Sequence, residues 1–376
     1  MSASATTATT PSRAHMRWRS AREFWRKFSK RRPGVAGVIV LIVFSILAIA
    51  PALFVGPLQT VTTAPGAHLE PPSLEFPMGT DALGRSVLNL TVWGTRISMV
   101  IGLLATIITV VLGALVGIVS GFVGGRTDQV LMRITDLFLV LPTFVLALVL
   151  APIILEIVGR DAEVAGIRVT LVVIVIVIGI TSGFFGGRVD AFLMRITDFF
   201  LVLPTFVLAL VLAPIILDIV GENSQVAGIR MTLVVIVIVI GITSWASTAR
   251  IIRSQALSVK ERMFVDRARV IGSGGGHIMR RHILPNVLNL LVANTVLVFG
   301  GAILTETLLA FVGLGDPFAP SWGQILNSAE AQGAPTLGAW WYIVPPATCI
   351  VLVVLSFTLV GGALDSVLNP RLRRRR

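Results

Sequence analysis

Long apolar runs alternate with short polar segments along most of the chain. Most of these runs approach the roughly 20 residues that an α-helix needs to cross a bilayer. The pattern therefore predicts an all-α integral membrane protein, a polytopic helical bundle. We place eight spans at about residues 35–55, 97–123, 137–157, 169–185, 199–219, 231–246, 287–309 and 343–364.

The middle of the chain encodes the same two-span unit twice. Residues 121–182 (the first copy) recur as residues 183–244 (the second copy), with 51 of the 62 aligned positions identical. Old transporter repeats are only weakly similar in sequence. Identity this high indicates a recent tandem duplication or an error in sequence assembly. Six spans remain when one copy is set aside, and a two-span insertion leaves the sidedness of every later segment unchanged.

Composition agrees with the membrane assignment and excludes several function classes. Hydrophobic residues make up 55% of the 376 residues and charged residues only 13%, which is far below a soluble domain. The net charge of +12 does not indicate nucleic acid, because the basic residues cluster beside apolar runs. No lysine follows a glycine, so the chain cannot bind ATP through a Walker A loop. Cys349 is the single cysteine and the four histidines show no metal spacing, so we predict no cofactor.

The distribution of Arg and Lys among the loops predicts which side of the membrane each loop faces. The segments that carry excess Arg and Lys are 1–34, 246–286 and the end of the chain, whereas the other long polar segments are net negative. An even number of spans with both termini in the cytoplasm satisfies every segment. The predicted organisation has five parts: a basic cytoplasmic tail (1–34), a first transmembrane helix (35–56), an external segment (57–96), a transmembrane domain (97–368) that includes a cytoplasmic loop (247–286), and a basic cytoplasmic tail (369–376).

The longest charged segment between spans, residues 258–286, predicts two short helices. Ser258 and Glu261 have capping-box spacing, and Gly272 suits the left-handed position that ends a helix. The second helix is predicted at about residues 277–283 and ends before Leu284-Pro285, because proline disfavours a helical conformation in the residue before it.

The first of these helices carries an apolar patch rimmed by arginines. Met263, Val270 and Ile271 supply the patch. Two interpretations fit it on physical grounds: an interfacial helix that rests on anionic lipid, and a docking site for a protein partner.

Several motifs then resemble those of a known family. Asp266-Arg267-Ala268, Gly272 three residues later and Leu284-Pro285 resemble the EAA loop of ABC importer permeases. The motifs GTDALGRS, GGRTDQVLMRITD, GGAILTETLLAFVGLG, PSWG and NPRL resemble, in this order, the second (C-type) permease subunit of the dipeptide/oligopeptide/nickel importers. The resemblance covers nearly the whole chain from about residue 30.

The resemblance implies a transport subunit that is not itself an enzyme. In that family the EAA loop docks into a separate ATPase subunit, so Asp266, Arg267, Ala268, Gly272, Leu284 and Pro285 become the expected ATPase-coupling residues. The implied partners are a homologous permease, two ABC ATPase subunits, an extracytoplasmic substrate-binding protein and the lipid bilayer, with no nucleic acid. The implied location is the cytoplasmic (inner) membrane, and the implied cargo is peptides or nickel.

This loop departs from the family pattern at several positions. Asp266 stands for Glu, Arg267 for Ala and His282 for Ile, and three glycines at 274–276 follow the first helix. Glycine loses more entropy on ordering, about 0.5–1 kcal/mol relative to alanine in a helix. The fold of the loop follows from the motif, and the glycines indicate a soft hinge.

Polar residues within the spans are candidates for a translocation path. Asn294 and Thr295 lie near the middle of their span and suit either a path or helix–helix contacts. Glu306 lies near the outer end, where a structural hydrogen-bonding role is favoured over transport. Asp81 and Arg85 are expected to hold the shape of the external segment.

Two further expectations concern the copies. Asp136 and Asp198 each follow an arginine by three residues, Arg133 and Arg195, which predicts local ion pairs. The second copy is continuous with the charged loop, so we expect it to occupy the native position and the first copy to be peripheral. Deletion of 121–182 should then leave a six-span protein. The alternative to an ABC permease is a secondary transporter or channel that works alone, which the nearly charge-free spans disfavour.

Overall fold

A computed structural model of the chain describes residues 22, 25–140, 225–226 and 229–368. Its helices are α1 Arg32–Ile49, α2 Pro51–Val55, α3 Val87–Val123, α4 Gly125–Val140, α5 Met231–Lys260, α6 Met263–Val270, α7 Gly275–Ile278, α8 Leu284–Leu309, α9 Trp322–Ala331 and α10 Trp340–Leu368. A 3₁₀ turn lies at Val61–Thr63, and π-helical turns lie at Met279–Ile283 and Ala310–Leu314. Strands β1 Gln225–Val226 and β2 Ile229–Arg230 form a short antiparallel pair.

The described residues form a helical membrane bundle. Among them, five helical segments are long and apolar enough to cross a membrane: Arg32–Ile49, Val87–Val123, Thr232–Lys260, Gly275–Leu314 and Trp340–Val367. The all-α prediction therefore holds apart from the two-residue strand pair. The predicted spans at 169–185 and 199–219, and all but the first four residues of 137–157, lie outside the described residues.

Two span boundaries differ from those predicted. The first span ends at Ile49 because Pro51 follows, and Ala50 takes a non-helical conformation (φ −134°, ψ 57°). Helix α3 begins at Val87, ten residues before the predicted start of the second span, so the last ten residues of the predicted external segment are helical. The polar first turns of α3 become helical because they are buried with partners: Asn89 donates hydrogen bonds to the carbonyl oxygens of Val55 and Pro57, both at 2.9 Å.

Direct backbone contact between α3 and α5 forms the centre of the bundle. A Cβ atom added at Gly117 would lie 2.6 Å from the carbonyl oxygen of Ala249, and one at Gly113 would lie 2.6 Å from Cβ of Thr248. At Gly121 the nearest atom is Cβ of Ala256, at 2.8 Å. Glycine at four-residue spacing thus removes the side chains that would hold the helices apart.

The segments predicted to be external are tied to α3. Trp322, fully buried at the start of α9, donates its ring N–H to the carbonyl oxygen of Thr91 and its backbone N–H to Oγ of Ser98, at 3.1 and 3.2 Å. Asp81 is also fully buried and accepts a hydrogen bond from Nε of Arg85 at 2.8 Å. This buried ion pair holds the turn that leads into α3.

The glycine contact generates a stability prediction. Gly117→Ala should destabilise the bundle by about 1–3 kcal/mol, because its added methyl group would overlap α5 and force the helices apart. The measurement is thermal or SDS-induced unfolding of the purified protein in detergent. Gly362→Ala in α10 is the matched control, because a Cβ there has no neighbour within 4 Å. Equal stability of the two variants would contradict the packing argument.

Candidate functional site

The cytoplasmic loop predicted at 247–286 is shorter than expected, because α5 continues to Lys260 before a brief turn leads into α6. The predicted capping box of Ser258 and Glu261 is wrong: Ser258 lies inside α5, and the residue before α6 is Arg262, which makes no side-chain cap. The physical reason is tertiary packing. Val259 is fully buried, so its contacts extend α5 past the local start signal.

Gly272 ends this part of the loop as predicted. Its φ angle is +84°, the left-handed conformation that glycine adopts without strain. A Cβ atom added at Gly272 would have no neighbour within 4 Å, so the glycine is required by backbone conformation and not by space.

The second predicted helix does not end before Leu284-Pro285. Helical conformation is continuous from Gly275 to Leu314 and includes the π-helical turn Met279–Ile283. A π turn widens the backbone, so Pro285 is accommodated just after it. The turn also orients Ile283 and Val287 into the core, where both are fully buried. Leu284 and Pro285 are exposed at the start of α8, and are not part of the exposed surface of α6.

Helix α6 has two faces with different surroundings. Val265 and Ala268 are buried against the bundle. The opposite face is exposed and consists of residues spaced i, i+3, i+4, i+7 and i+8, which we call the coupling face: Met263, Asp266, Arg267, Val270 and Ile271. Its three apolar side chains, Met263, Val270 and Ile271, are 74%, 88% and 83% exposed. Exposed apolar residues grouped this closely mark an interaction surface.

The predicted coupling residues thus divide between the two faces. Asp266 and Arg267 lie on the coupling face, whereas Ala268 lies on the buried face and serves packing. Asp266 also forms an exposed ion pair with Arg269 at 3.1 Å, an i, i+3 contact that adds little stability at a solvated surface.

The residues proposed for a translocation path are not brought together. The amide of Asn294 donates to Oγ of Thr248 at 3.0 Å and so joins α8 to α5, while Thr295 bonds the Leu291 carbonyl oxygen of its own helix at 2.7 Å. Glu306 is fully buried beside the hydroxyl groups of Ser98 and Ser321, about 18 Å further along the helix. Its Oε2 atom has no hydrogen-bond partner among the described residues.

A different polar surface lies between α5 and α8. This groove is lined by small and hydroxylated side chains that the sequence-based candidates omitted: Thr243, Ser244, Ser247, Val298, Gly301, Ala302 and Thr305. The available sequence signal was the Thr-Ser run at 243–244 with Ser247 one turn later.

Helix α4 is held to α5 by two ion pairs. Arg253 forms two hydrogen bonds with the carboxylate of Asp128, which also accepts a hydrogen bond from Ser120 at the end of α3. Asp136 pairs with Arg250 of α5. The predicted local partner of Asp136, Arg133, is therefore wrong, because α4 lies along α5 with its two aspartates facing the arginines of that helix. The counterpart pair, Arg195 and Asp198, lies outside the described residues.

The pKa of Asp128 reflects this contact. The hydrogen bond from Arg253 holds the pKa of the carboxyl group below its ordinary value of 3.8. A lowered pKa in the folded state means that the pair stabilises α4 at neutral pH, and that this contribution is lost as the pH falls through the acidic range.

The two helices joined by these ion pairs begin in different copies, and Arg250 and Arg253 lie after the end of the second copy at residue 244. Helix α4 is the first helical segment of the first copy, whereas α5 begins in the second copy. In the described residues α5 packs directly on α3, and α4 contacts both α3 and α5. The two predicted spans of the first copy, apart from residues 137–140, lie outside the described residues, so which copy occupies the native position stays a prediction. Near-identical copies carry the same local pattern, so only long-range contacts select between them.

Comparisons with known proteins agree with this architecture. Residues 175–374 match the profile of the family described as binding-protein-dependent transport system inner membrane component. Residues 20–72 match the N-terminal TM domain of oligopeptide transport permease C. The first match runs through the second copy, and the near-identity of the copies makes a sequence match insensitive to which copy packs.

Full-length relatives extend the similarity over most of the chain. The dipeptide transport system permease protein DppC of Bacillus subtilis is 28% identical over 93% of this chain and 85% of its own length. The oligopeptide transport system permease protein OppC of Haemophilus influenzae is 28% identical over 94% and 88%. The di/tripeptide transport system permease protein DppC of Pseudomonas aeruginosa is 27% identical over 94% and 92%.

The family profile covers more than half of the chain and includes α5 to α10. The chain belongs to the binding-protein-dependent transport system inner membrane component family, and it is a multi-pass protein of the bacterial inner membrane. The resemblance to C-type permeases of ABC peptide importers is confirmed.

The ion pairs provide a test of which copy docks on α5. Asp128→Asn should lower the stability of the purified protein by roughly 1–2 kcal/mol, because Arg253 loses a charged partner in a partly buried site. The matched control is Asp190→Asn, the equivalent residue of the second copy. Unfolding in detergent measures both variants. A larger loss for Asp190→Asn would show that the second copy supplies the partner of Arg253.

Proposed function

We propose that this chain is one permease subunit of an ATP-driven importer of peptides, and that α6 couples it to separate ATPase subunits. The coupling face carries the proposal. It is a compact exposed surface on a cytoplasmic helix whose other face is buried in the bundle. A short turn connects it to α5, and the turn at Gly272 leads towards α8.

The composition of the coupling face favours a protein partner over a lipid surface. Asp266 lies between the apolar side chains of Met263 and Val270 and is itself exposed. An interfacial helix on anionic lipid presents basic residues around its apolar face, and an acidic residue in that position is repelled. A groove on a protein accommodates the apolar residues and pairs both Asp266 and Arg267 with opposite charges.

The proposed assembly follows the family and the loop charges. A homologous permease, two ABC ATPase subunits and an extracytoplasmic substrate-binding protein complete the importer, and ATP hydrolysis takes place on the partner subunits. Eight spans with both termini in the cytoplasm satisfy the distribution of Arg and Lys. Under this topology α6 faces the cytoplasm, and the segment that contains Asp81 and α9 faces the binding protein.

Peptides are the proposed cargo because the relatives are named dipeptide, oligopeptide and di/tripeptide permeases. The groove between α5 and α8 is the proposed wall of the translocation path. Four hydroxyl groups lie among its small and apolar residues, and none of the residues that line it is charged. Such a surface suits the amide groups of a peptide backbone and does not select one side chain. In this proposal Asn294 and Glu306 hold helices together.

The proposed mechanism is a change in the relative positions of rigid helices. ATP-driven closure of the ATPase subunits displaces α6, and α5 and α8 carry this displacement into the bundle, because both are continuous helices that begin or end beside α6. The two ends of the transport cycle then differ in the contacts of the coupling face, which is the differential binding that links ATP to transport. A secondary transporter acting alone would instead move its cargo without ATPase subunits.

The coupling face is tested by a charge at its apolar centre. Val270→Asp should abolish co-purification of the ATPase subunits and ATP-dependent peptide uptake, because a buried carboxylate has no partner in an apolar contact. The control for co-purification of the ATPase subunits is Leu74→Asp, which adds the same charge at an exposed apolar residue of the external segment. Membrane expression of both variants is measured alongside. Normal co-purification of Val270→Asp would overturn the assignment.

The duplication generates a deletion experiment that preserves the observed contacts. Removal of residues 141–202 joins Val140 to residue 203 at the same point of the repeat and keeps both α4 and α5. The shortened chain should insert, assemble with its partners and take up peptide at a rate within about twofold of the full chain, because it retains α4, α5 and the coupling face. Loss of uptake at normal membrane expression would show that the additional residues are required.

A further inference from the structure

Phe122 lies where three cytoplasmic segments meet the bundle. It is in the last turn of α3, two residues before the chain turns at Gly124 (φ +71°) into α4. Nζ of Lys260, at the end of α5, lies 6.0 Å from the centre of its ring. Cζ of Arg269, in α6, lies 5.9 Å from the same centre.

The ring also contacts the glycine hinge. A Cβ atom added at Gly275, the first residue of α7, would lie 3.2 Å from Cε1 of Phe122. The neighbouring Gly274 and Gly276 have no atom within 4 Å of such a position. The ring of Phe122 therefore lies beside the end of α5, beside α6 and beside the first residue of α7.

We propose that Phe122 is a positioning residue for coupling: its ring holds α6 at a defined place on α3, so that displacement of α6 moves the bundle. This inference rests on the proposed function, since it assigns a role within ATP-coupled transport. None of the motifs that identify the coupling loop includes this residue.

The aromatic ring, and not only its volume, suits this role. Lys260 and Arg269 carry like charges, and they belong to different helices that meet at one ring. The negative face of an aromatic ring attracts both cations, whereas an aliphatic side chain of similar volume attracts neither. The ring is also partly buried against the cluster that contains Val265, Ala268 and Ile278, so it connects the buried face of α6 to α3.

Of the three glycines in the hinge, only Gly275 lies close to Phe122. Alanine at 276 gains helix propensity in open space, whereas alanine at 275 gains the same propensity and presses on Phe122. Gly276→Ala should therefore preserve coupling, whereas Gly275→Ala should disturb it.

The experiment uses the complete importer, with both permeases, the ATPase subunits and the binding protein, reconstituted in liposomes. Peptide uptake and ATP hydrolysis are measured together, and their ratio is the readout. Phe122→Leu should lower the ratio of uptake to hydrolysis roughly fivefold, with subunit assembly and thermal stability unchanged. Phe122→Tyr, which keeps the ring, should restore the ratio.

The duplication supplies a matched control for Phe122. Phe184 occupies the same Gly-Phe position in the second copy. Phe184→Leu should leave the ratio unchanged.

In the hinge, Gly275→Ala should lower the ratio of uptake to hydrolysis about twofold and Gly276→Ala should not, because only the first alters the ring contact.

Three results would overturn the proposal: a normal ratio in Phe122→Leu, an equal fall in Phe184→Leu, or a fall that Phe122→Tyr does not restore. These results are distinct from failure of the proposed function, in which the unaltered chain would not assemble with ATPase subunits or would transport without ATP.

Discussion

The close backbone contact between α3 and α5 is the constraint on which the rest of the structure depends. Glycines 113, 117 and 121 allow the helices to approach to the distance of a backbone contact, and this fixes their rotation and register. This register places Arg253 beside Asp128 and Ser120, and Lys260 beside Phe122. A larger side chain at any of these three glycines would therefore disturb both the membrane bundle and the position of α6.

Polar interactions refine what the helix contact establishes. The two ion pairs with Arg250 and Arg253 attach α4 to α5, and they require these arginines to face α4. In the segments predicted to be external, Trp322 bonds α3, and the ion pair between Asp81 and Arg85 holds the turn that leads into α3. Helix α3 thus receives contacts from these segments in its first half and from α6 at its other end.

Local sequence signals succeeded where packing did not oppose them. The apolar runs located the described spans, and Gly272 was correctly assigned to a left-handed turn. The capping box at Ser258 failed because burial of Val259 favours continuation of α5. The helix end before Pro285 failed because a π turn accommodates the proline. Asn294 and Thr295 were correctly identified as polar, but their hydrogen-bond partners belong to a neighbouring helix and to their own backbone, which spacing alone does not specify.

The sequence by itself determined the class of protein: a helical membrane protein of a transport permease family, with a charged helical segment before its penultimate long apolar helix. The length of the hydrophobic runs and the order of the motifs are properties of the chain itself. They are the same however the helices pack. Only the tertiary structure decided that α4 of the first copy meets α5 of the second, that Asp136 pairs with Arg250, and that Phe122 contacts the coupling segment. Two nearly identical copies have the same local pattern, so which copy packs against α5 depends on contacts between residues far apart in the chain.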